Sequence, residues 1–143
     1  MGTVHHILKA KGNNIYSISP FITVFTALEI MVEKNVSALV IMDNDKLIGI
    51  FSERDYARKV AQKGKSSRET PVGDIMTENV ITVSPDHTID DSMNLMTDKF
   101  IRHLPVVEND KLVGLISIGD LVKFIIEEQK FIIENMEQYI GGT

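Results

Sequence analysis

The chain has 143 residues, of which 43% are apolar and 24% are charged, so one compact domain or two small packed halves can bury a sizeable core, and a disordered chain is excluded. Its net charge of -5 disfavours the broad basic surface that nucleic-acid binding requires. The absence of cysteine excludes disulfides, thiolate metal sites and cysteine nucleophiles, and it favours a cytoplasmic location.

Two short apolar segments, residues 4–8 and 72–76, read V-x-x-I-L and V-x-x-I-M and begin 68 residues apart. We call them the first and the second leading segment. The parts that follow them are 65 residues apart, so three extra residues lie after the first leading segment. The turn-forming residues 11–14 are the predicted place for them. No secretory signal and no transmembrane helix is predicted anywhere in the chain.

A short strand is predicted after each leading segment, at residues 15–19 and 80–84, and each ends at a proline. A helix follows in both copies, with Thr23 and Thr88 as its predicted N-caps. Apolar residues at helical spacing predict the buried stripes of these two helices. The stripes are Val24, Leu28 and Met31 in the first copy and Ile89, Met93 and Met96 in the second.

Each copy then shows two strands joined by a polar turn, which predicts a β-hairpin. The predicted strands are residues 38–42 and 47–51 in the first copy and residues 104–107 and 112–116 in the second. Pro105 has no N–H to donate, which places it at a strand start or on a sheet edge. A second helix is predicted to start at Ser52 in the first copy and at Ser117 in the second.

The strongest internal similarity is between residues 44–55 and residues 109–120, where seven of twelve positions are identical at a constant offset of 65. Each copy therefore reads β-α-β-β-α. A unit of about 50 residues buries too little surface to be stable alone. We predict an α/β (α+β) fold in which two pseudo-twofold-related repeats pack through their sheets. The predicted divisions are residues 1–66, residues 67–128 and a C-terminal helical extension at residues 129–143.

The last predicted helix outgrows its counterpart, because the pattern that begins at Asp120 continues to Ile140 before Gly141 and Gly142. Its apolar stripe has heptad-like spacing and consists of Val122, Ile125, Ile132, Met136 and Tyr139. The stripe could cover the chain's own core or contact a partner subunit. It extends past the repeat, where less of the core remains to be covered, so we favour a subunit contact and expect a homodimer.

Both copies contain the pattern G-x-x-S-x-x-D, at Gly49, Ser52 and Asp55 and at Gly114, Ser117 and Asp120. The glycine permits close approach of another backbone to the strand. In one interpretation the motif is a capping box, in which the serine caps the helix and the acid reaches back to the serine N–H. In the other, the N–H groups of the helix start attract phosphate and the carboxylate accepts hydrogen bonds from vicinal ribose hydroxyls. The residues leave both interpretations open, and the two can coexist.

The chain resembles a tandem pair of CBS domains, the small regulatory unit called a Bateman module. Residues 49–55 and 114–120 match the family's G-h-x-[ST]-x-x-D signature, residues 102–107 match its second-strand pattern, and residues 72–77 match the start of a repeat. The resemblance covers residues 4–127. It implies a sensor that binds AMP as the first candidate, with NAD, ADP, ATP and S-adenosylmethionine next, in clefts between the repeats.

The resemblance also implies the site residues. It assigns ribose to Asp55 and Asp120, and it assigns ribose or phosphate to Ser52 and Ser117. The implied base pocket consists of Asn14, Ile15, Tyr16, Ala38 and Leu39 and of Thr77, Asn79, Val80, Leu104 and Pro105. Phosphate could be held by Arg54, Arg58 and Lys59 in the first copy and by Arg102 and His103 in the second. Arg58 and Lys59 could equally form a solvated helix face.

No arrangement typical of catalysis is evident, because Ser52 and Asp55 lack a base and the four histidines show no metal-binding spacing. We therefore expect neither an enzyme nor a metal site. The alternative to a nucleotide sensor is an interaction and oligomerisation module with unoccupied vestigial pockets, in which the C-terminal helix carries the function. In either case the sequence does not identify a protein target.

Overall fold

A computed structural model describes residues 2–12 and 14–141, and Asn13 of the predicted turn and Gly142 of the predicted helix stop lie outside the described residues. In chain order the elements are α1 (Val4–Lys11), β1 (Ser17–Ile18), α2 (Val24–Lys34), β2 (Ala38–Asp43), β3 (Lys46–Ser52), α3 (Glu53–Asp55), α4 (Ile89–Lys99), β4 (His103–Glu108), β5 (Lys111–Ser117) and α5 (Ile118–Gly141). A π-helix at Tyr56–Ala61 continues α3, and a single 3-10 turn at Val72–Asp74 forms the start of the second leading segment.

The first half carries a three-stranded sheet in the order β1-β2-β3, with β1 parallel and β3 antiparallel to β2. The second half carries the hairpin β4-β5 in the equivalent register, so Ala38 pairs with Ser52 and His103 pairs with Ser117. Both hairpins turn through an Asn-Asp pair with positive φ, a conformation that matches the twist of the strands. These features confirm the predicted fold of two β-α-β-β-α repeats, except at the first strand of the second repeat.

The predicted strand at residues 80–84 is wrong, because only an isolated parallel bridge between Val83 and Val106 occurs there. Asn79, with a φ of 53°, turns the chain just before this segment. The Pro105 carbonyl accepts a hydrogen bond from the Val83 N–H, so this edge of β4 faces residues 80–84. The nitrogen of Pro105 lies on the same edge and has no hydrogen to donate. Pro105 therefore lies on a sheet edge, as predicted, and it limits the pairing that a third strand would need.

The predicted caps of α2 and α4 are confirmed. The side chains of Thr23 and Thr88 each accept a hydrogen bond from the backbone N–H three residues further on, at 3.2 and 3.0 Å. Within the predicted stripes of these helices, four side chains are buried, and only Leu28 and Met93 are partly exposed. Local capping and helical periodicity therefore position both helices as expected.

Each of the two apolar cores contains the leading segment of the other half. The second core includes Val4, Ile7 and Leu8 of α1 together with Leu104, Val106, Ile116 and Leu121. The first core includes Val72 and Ile75 together with Val24, Leu39, Ile41 and Phe51. Backbone hydrogen bonds from Val4 to His87 and from Val72 to Ile22 fix this exchange at 2.9 and 2.8 Å. The halves are therefore interlocked, which makes the two repeats one folding unit.

The signature glycines lie where the exchanged segments cross the hairpins. A Cβ on Gly49 would overlap the Met76 side chain and would lie 3.1 Å from the Thr77 carbonyl oxygen. A Cβ on Gly114 would overlap only the side chain of Leu8. Close backbone approach, the role predicted for both glycines, is thus confirmed at Gly49, whereas Gly114 makes room for a side chain.

The helix α5 has 24 residues and is about 36 Å long. Its first turns pack on the second core through the buried Leu121 and the partly buried Phe124 and Ile125. From residue 129 to residue 141 every side chain is exposed, so this part covers no core of its own chain. Across the described ranges, none of the helices combines the length and apolarity that crossing a membrane requires.

Candidate functional site

Asp55, at the start of the first signature helix, is held through both carboxylate oxygens. Oδ2 accepts hydrogen bonds from the Ser52 N–H at 2.9 Å and from the Ser52 hydroxyl at 3.1 Å. Oδ1 accepts the Thr77 hydroxyl at 2.8 Å and lies 3.1 Å from the Lys59 ammonium. Thr77 itself is fixed beside β3 by two backbone hydrogen bonds to Ile50, at 3.0 and 2.9 Å. We call Ser52, Asp55, Lys59 and Thr77 the Asp55 cleft.

Asp120, the equivalent residue of α5, is held differently. Its Oδ2 accepts the Ser117 N–H at 2.9 Å and the Lys11 ammonium at 2.6 Å, and the same ammonium donates to the Leu115 carbonyl at 2.7 Å. From the described part of the chain, Oδ1 receives no hydrogen bond. The side chain of Asp120 is 25% exposed, against 10% for Asp55. We call Lys11, His103, Leu115, Ser117 and Asp120 the Asp120 cleft.

Reciprocal serine contacts confirm the capping-box interpretation at both signatures. The Ser52 hydroxyl accepts the Asp55 N–H at 3.2 Å, and the Ser117 hydroxyl accepts the Asp120 N–H at 3.1 Å. Capping uses only Oδ2 of each carboxylate for the return bond to the serine. The two clefts therefore share the capping bonds and differ in the other groups that contact each carboxylate.

The charges of the Asp120 cleft are set by burial and by Lys11. Burial opposes ionisation of Asp120, but hydrogen bonds from Lys11 and Ser117 and the charge of Lys11 outweigh it, so the pKa of Asp120 lies below its ordinary value. The pKa of His103 is also lowered, first by burial and then by the cations Lys11 and Arg102, while Asp120 acts in the opposite direction. At neutral pH the cleft therefore holds a carboxylate, an ammonium and a neutral imidazole.

A hydrogen bond of 3.0 Å joins the two halves, between the hydroxyl of Ser37, just before β2, and Nε2 of His103. The carbonyl oxygens of Ser37 and Arg102 accept the N–H groups of Glu53 and Ile118, at 3.1 and 2.9 Å. Each signature helix is thus tied at its first residue to the chain entering the neighbouring strand. His103 belongs to the Asp120 cleft and also contacts the chain that leads into the first hairpin.

The residues implied for the base pocket lie in different environments. Ala38, Leu39, Leu104 and Pro105 are buried in β2 and β4, Ile15 and Val80 are partly buried, and Asn14 and Asn79 are exposed. Asn79 follows Thr77 closely, so it lies near the Asp55 cleft. Tyr16 packs against the first core, with the Lys34 ammonium 5.4 Å from its ring centroid, so its ring lies towards α2.

The basic residues implied for phosphate binding are dispersed. Arg54 donates to the Phe100 carbonyl at 2.7 Å and so links the two halves. Arg58 and Arg102 are exposed, and neither makes a hydrogen bond or ion pair with the rest of the described chain. His103 lies in the Asp120 cleft. Lys59 lies 3.1 Å from Asp55 Oδ1. The structure thus brings two of these five basic residues, Lys59 and His103, to a signature carboxylate.

Lys11 is the site residue that sequence reasoning missed, because the basic groups for Asp120 were expected from Arg102 and His103. It lies at the end of α1, at the position where the three extra residues of the first copy begin. That break in the repeat was visible in the sequence, but nothing in it indicated that α1 would lie on the second half. The described ranges contain no group of three or more histidine, cysteine, aspartate or glutamate side chains placed to hold a metal ion.

Comparison with known proteins agrees with the fold. The family model described as CBS domain matches residues 6–62 and 72–127. The mitochondrial CBS domain-containing protein CBSX3 of Arabidopsis thaliana is 38% identical over 149 aligned positions, which cover 98% of this chain and 72% of that protein. The crystal structure of the CBS domain protein NE2398 is 44% identical with a TM-score of 0.84, covering 87% of this chain and 97% of that one.

A more distant structure contains ligands. The CBS domain pair of protein MJ0100, crystallised with 5′-methylthioadenosine and S-adenosyl-L-methionine, is 28% identical with a TM-score of 0.78, covering 90% of this chain and 98% of that one. The two matched segments, the duplicated signature and the two interlocked repeats lead to one conclusion. This chain belongs to the CBS-domain family as a tandem CBS pair.

Proposed function

We propose that the chain is a regulatory sensor that binds an adenosine-containing nucleotide in the Asp55 and Asp120 clefts. The observation that carries the proposal is a pair of carboxylates, each fixed by a capping serine and each in contact with a lysine ammonium. A carboxylate accepts hydrogen bonds from ribose hydroxyls, and an ammonium attracts phosphate. Each cleft therefore offers an acceptor for ribose hydroxyls and a cation for a phosphate.

AMP is the first candidate ligand, followed by NAD, ADP and ATP and then by S-adenosylmethionine, because all of them share the adenosine portion. The adenosine-type ligands named for the MJ0100 domain pair support this class. The role is binding rather than catalysis, since the signature serines contact their own aspartates. A cytoplasmic location, a homodimer and the divisions at residues 1–66, 67–128 and 129–143 stay predictions.

A thermal-shift panel of these five ligands tests the proposal. A ligand at 100 times its Kd stabilises the folded state by about 2.7 kcal/mol, which raises the Tm by several degrees. We expect AMP to give a clear shift. If every compound of the panel leaves the Tm unchanged, the sensor proposal is wrong.

Substitution of the two carboxylates assigns the sites. Asp55→Ala and Asp120→Ala are each expected to abolish binding in one cleft, measured as stoichiometry by calorimetry, and to cost about 1 kcal/mol of stability through loss of the cap. Asp98→Ala, on the exposed face of α4, is the matched control and should change neither. If either cleft variant loses stability while stoichiometry and affinity stay unchanged, that aspartate is only a cap.

The exposed part of α5 favours a second role, self-association. The large apolar side chains Val122, Ile126, Phe131, Ile132, Ile133, Met136 and Tyr139 are all exposed. Phe131 lies on the opposite side of the helix from Val122 and Ile133, so six of these side chains can share one interface. At roughly 100 Å² each, their burial between two copies would give about 1,200 Å², at the lower end of the range of specific interfaces. An area of this size is what a stable dimer needs, so the occupant we propose is a second copy of this chain.

Two glutamate variants of α5 test this role by sedimentation. Ile133→Glu combined with Met136→Glu should convert a dimer to a monomer, because it buries charge in the apolar stripe. Gln138→Glu, which adds a charge on the polar side of the same helix, should leave the dimer intact. A wild-type protein that sediments as a monomer at micromolar concentration would rule out self-association through α5.

A further inference from the structure

The Lys11 ammonium is only partly used in the Asp120 cleft. It has three N–H donors, of which one goes to Asp120 Oδ2 and one to the Leu115 carbonyl. Within the described chain the third donor has no acceptor, and the side chain is 36% exposed. The ammonium can therefore bind an anion without losing the contact that holds it beside the carboxylate.

The neighbouring carboxylate is likewise only partly used. Asp120 Oδ1 receives no hydrogen bond from the described residues, while Oδ2 carries the capping bond and the lysine contact. A free acceptor and a free cationic donor are thus held side by side by one ion pair of 2.6 Å. A sugar hydroxyl matches the acceptor, and an anionic group on the same sugar matches the donor.

We propose that Lys11 determines ligand specificity in the Asp120 cleft, so that this cleft selects an adenosine ligand with a phosphate over the unphosphorylated nucleoside. The inference rests on the proposed function and deepens it. Lys11 is the last residue of α1, which belongs to the first half of the chain. A ligand bound to Lys11 and Asp120 would therefore contact both the end of α1 and the start of α5.

In the described chain no other basic side chain forms an ion pair with Asp120. Arg102 is exposed and makes no ion pair, and the pKa of His103 is lowered by burial and by its cationic neighbours, which keeps the imidazole neutral. Gly12, which follows Lys11, has a φ of 90° and open space around its Cα. Lys11 is therefore the cation that the described chain holds in contact with Asp120.

The Asp55 cleft lacks the same free acceptor. Its Oδ1 already accepts the Thr77 hydroxyl and contacts Lys59. A ribose hydroxyl must displace Thr77 or share the oxygen with it. We expect the Asp120 cleft to fill first and to show the stronger preference for phosphate.

Calorimetric titration of AMP, adenosine and inorganic phosphate into the full chain tests the proposal. In Lys11→Met, AMP affinity at the tighter site should fall about tenfold or more, as expected for the loss of a charge-assisted hydrogen bond, while adenosine affinity changes less than about threefold. Lys11→Arg should restore most of the AMP preference, since it keeps the cation. Lys9→Met, an exposed lysine of the same helix, is the matched control and should behave as wild type.

Each other result has a definite meaning. If Lys11→Met lowers the affinities for AMP and adenosine equally, Lys11 has only a structural role. If the AMP affinity is unchanged, another group binds the phosphate. Either result overturns the inference and leaves the proposed function standing. Phosphate binding that matches AMP in strength would show a simple anion site and would also overturn it. If the wild type binds neither AMP nor adenosine, the inference and the AMP-binding assignment both fall.

Discussion

The Asp55 and Asp120 clefts share a signature and differ in what completes them. In both clefts one carboxylate oxygen of the aspartate accepts the N–H of the capping serine. Oδ1 of Asp55 accepts the Thr77 hydroxyl and contacts Lys59. Oδ1 of Asp120 receives no hydrogen bond from the described residues, and Lys11 instead donates to Oδ2, the oxygen that also accepts the Ser117 N–H. The repeated motif therefore specifies the cap, and the segments that cross from the other half specify the chemistry.

The crossing segments differ because of their length and form. The chain directly after the second leading segment reaches β3 with its backbone, because Thr77 forms an isolated bridge with Ile50. The first leading segment begins the eight-residue helix α1, and α1 contacts the equivalent place through the Lys11 side chain. The duplicated sequence has thus produced one cleft that is closed by backbone and a hydroxyl and one cleft that is closed by a lysine side chain.

Among these predictions, substitution of the two signature glycines by alanine should give the largest difference in the free energy of unfolding. Gly49→Ala places a Cβ against the Thr77 backbone, which cannot move without breaking its bonds to Ile50, so we expect a loss of about 3 kcal/mol. Gly114→Ala meets only the Leu8 side chain, which can change rotamer, so a loss of about 1 kcal/mol is expected. Denaturant unfolding measures both values.

The control for this pair is Gly119→Ala, whose Cβ would lie at an ordinary distance of 3.6 Å from the Ser117 hydroxyl. It should be neutral or slightly stabilising, because alanine favours the helix. Equal losses at Gly49 and Gly114 would show that the backbone of the second leading segment moves as easily as a leucine side chain.

Much of each half could be predicted because the signals are local. Thr23 and Thr88 cap their helices, the Asn-Asp pairs form the hairpin turns, and the offset of 65 predicts that both halves share one plan. The exchange of leading segments could not be predicted, because apolar residues such as Val4 and Val72 fit either core equally well. Lys11 was missed for the same reason, since its contact with Asp120 depends entirely on that exchange.

Removal of the Thr77 hydroxyl should make the Asp55 cleft more like the Asp120 cleft. Thr77→Val leaves Oδ1 of Asp55 with the Lys59 contact alone. The substitution should cost about 1 kcal/mol in unfolding experiments, because it removes one hydrogen bond to a carboxylate that Ser52 still holds. The difference in AMP affinity between the two sites should narrow in calorimetry. Thr82→Val, at an exposed position, is the control. A wider affinity difference in Thr77→Val would show that Thr77 helps ligand binding instead of competing with it.

The smallest expected effect is a difference in pH dependence that comes from His103. The first repeat has Ala38 at the equivalent strand position, so only the Asp120 cleft contains an imidazole. The pKa of His103 is lowered by burial and then by Lys11 and Arg102, so the unfolded chain takes up the proton more readily than the folded one. The stability that neutral His103 contributes is therefore present above its unfolded pKa, about 6.5, and is lost as the pH falls below that value.

His103→Ala should flatten this part of the stability curve, by less than about 1 kcal/mol between pH 7 and pH 5. The substitution gives the second cleft the residue that the first already has, and the lost hydrogen bond to Ser37 lowers stability at all pH values. Denaturant unfolding at several pH values separates the slope from this uniform loss. If His103→Ala keeps the wild-type slope, the imidazole is protonated equally in the folded and unfolded chain, and the two clefts differ only through Lys11 and Thr77.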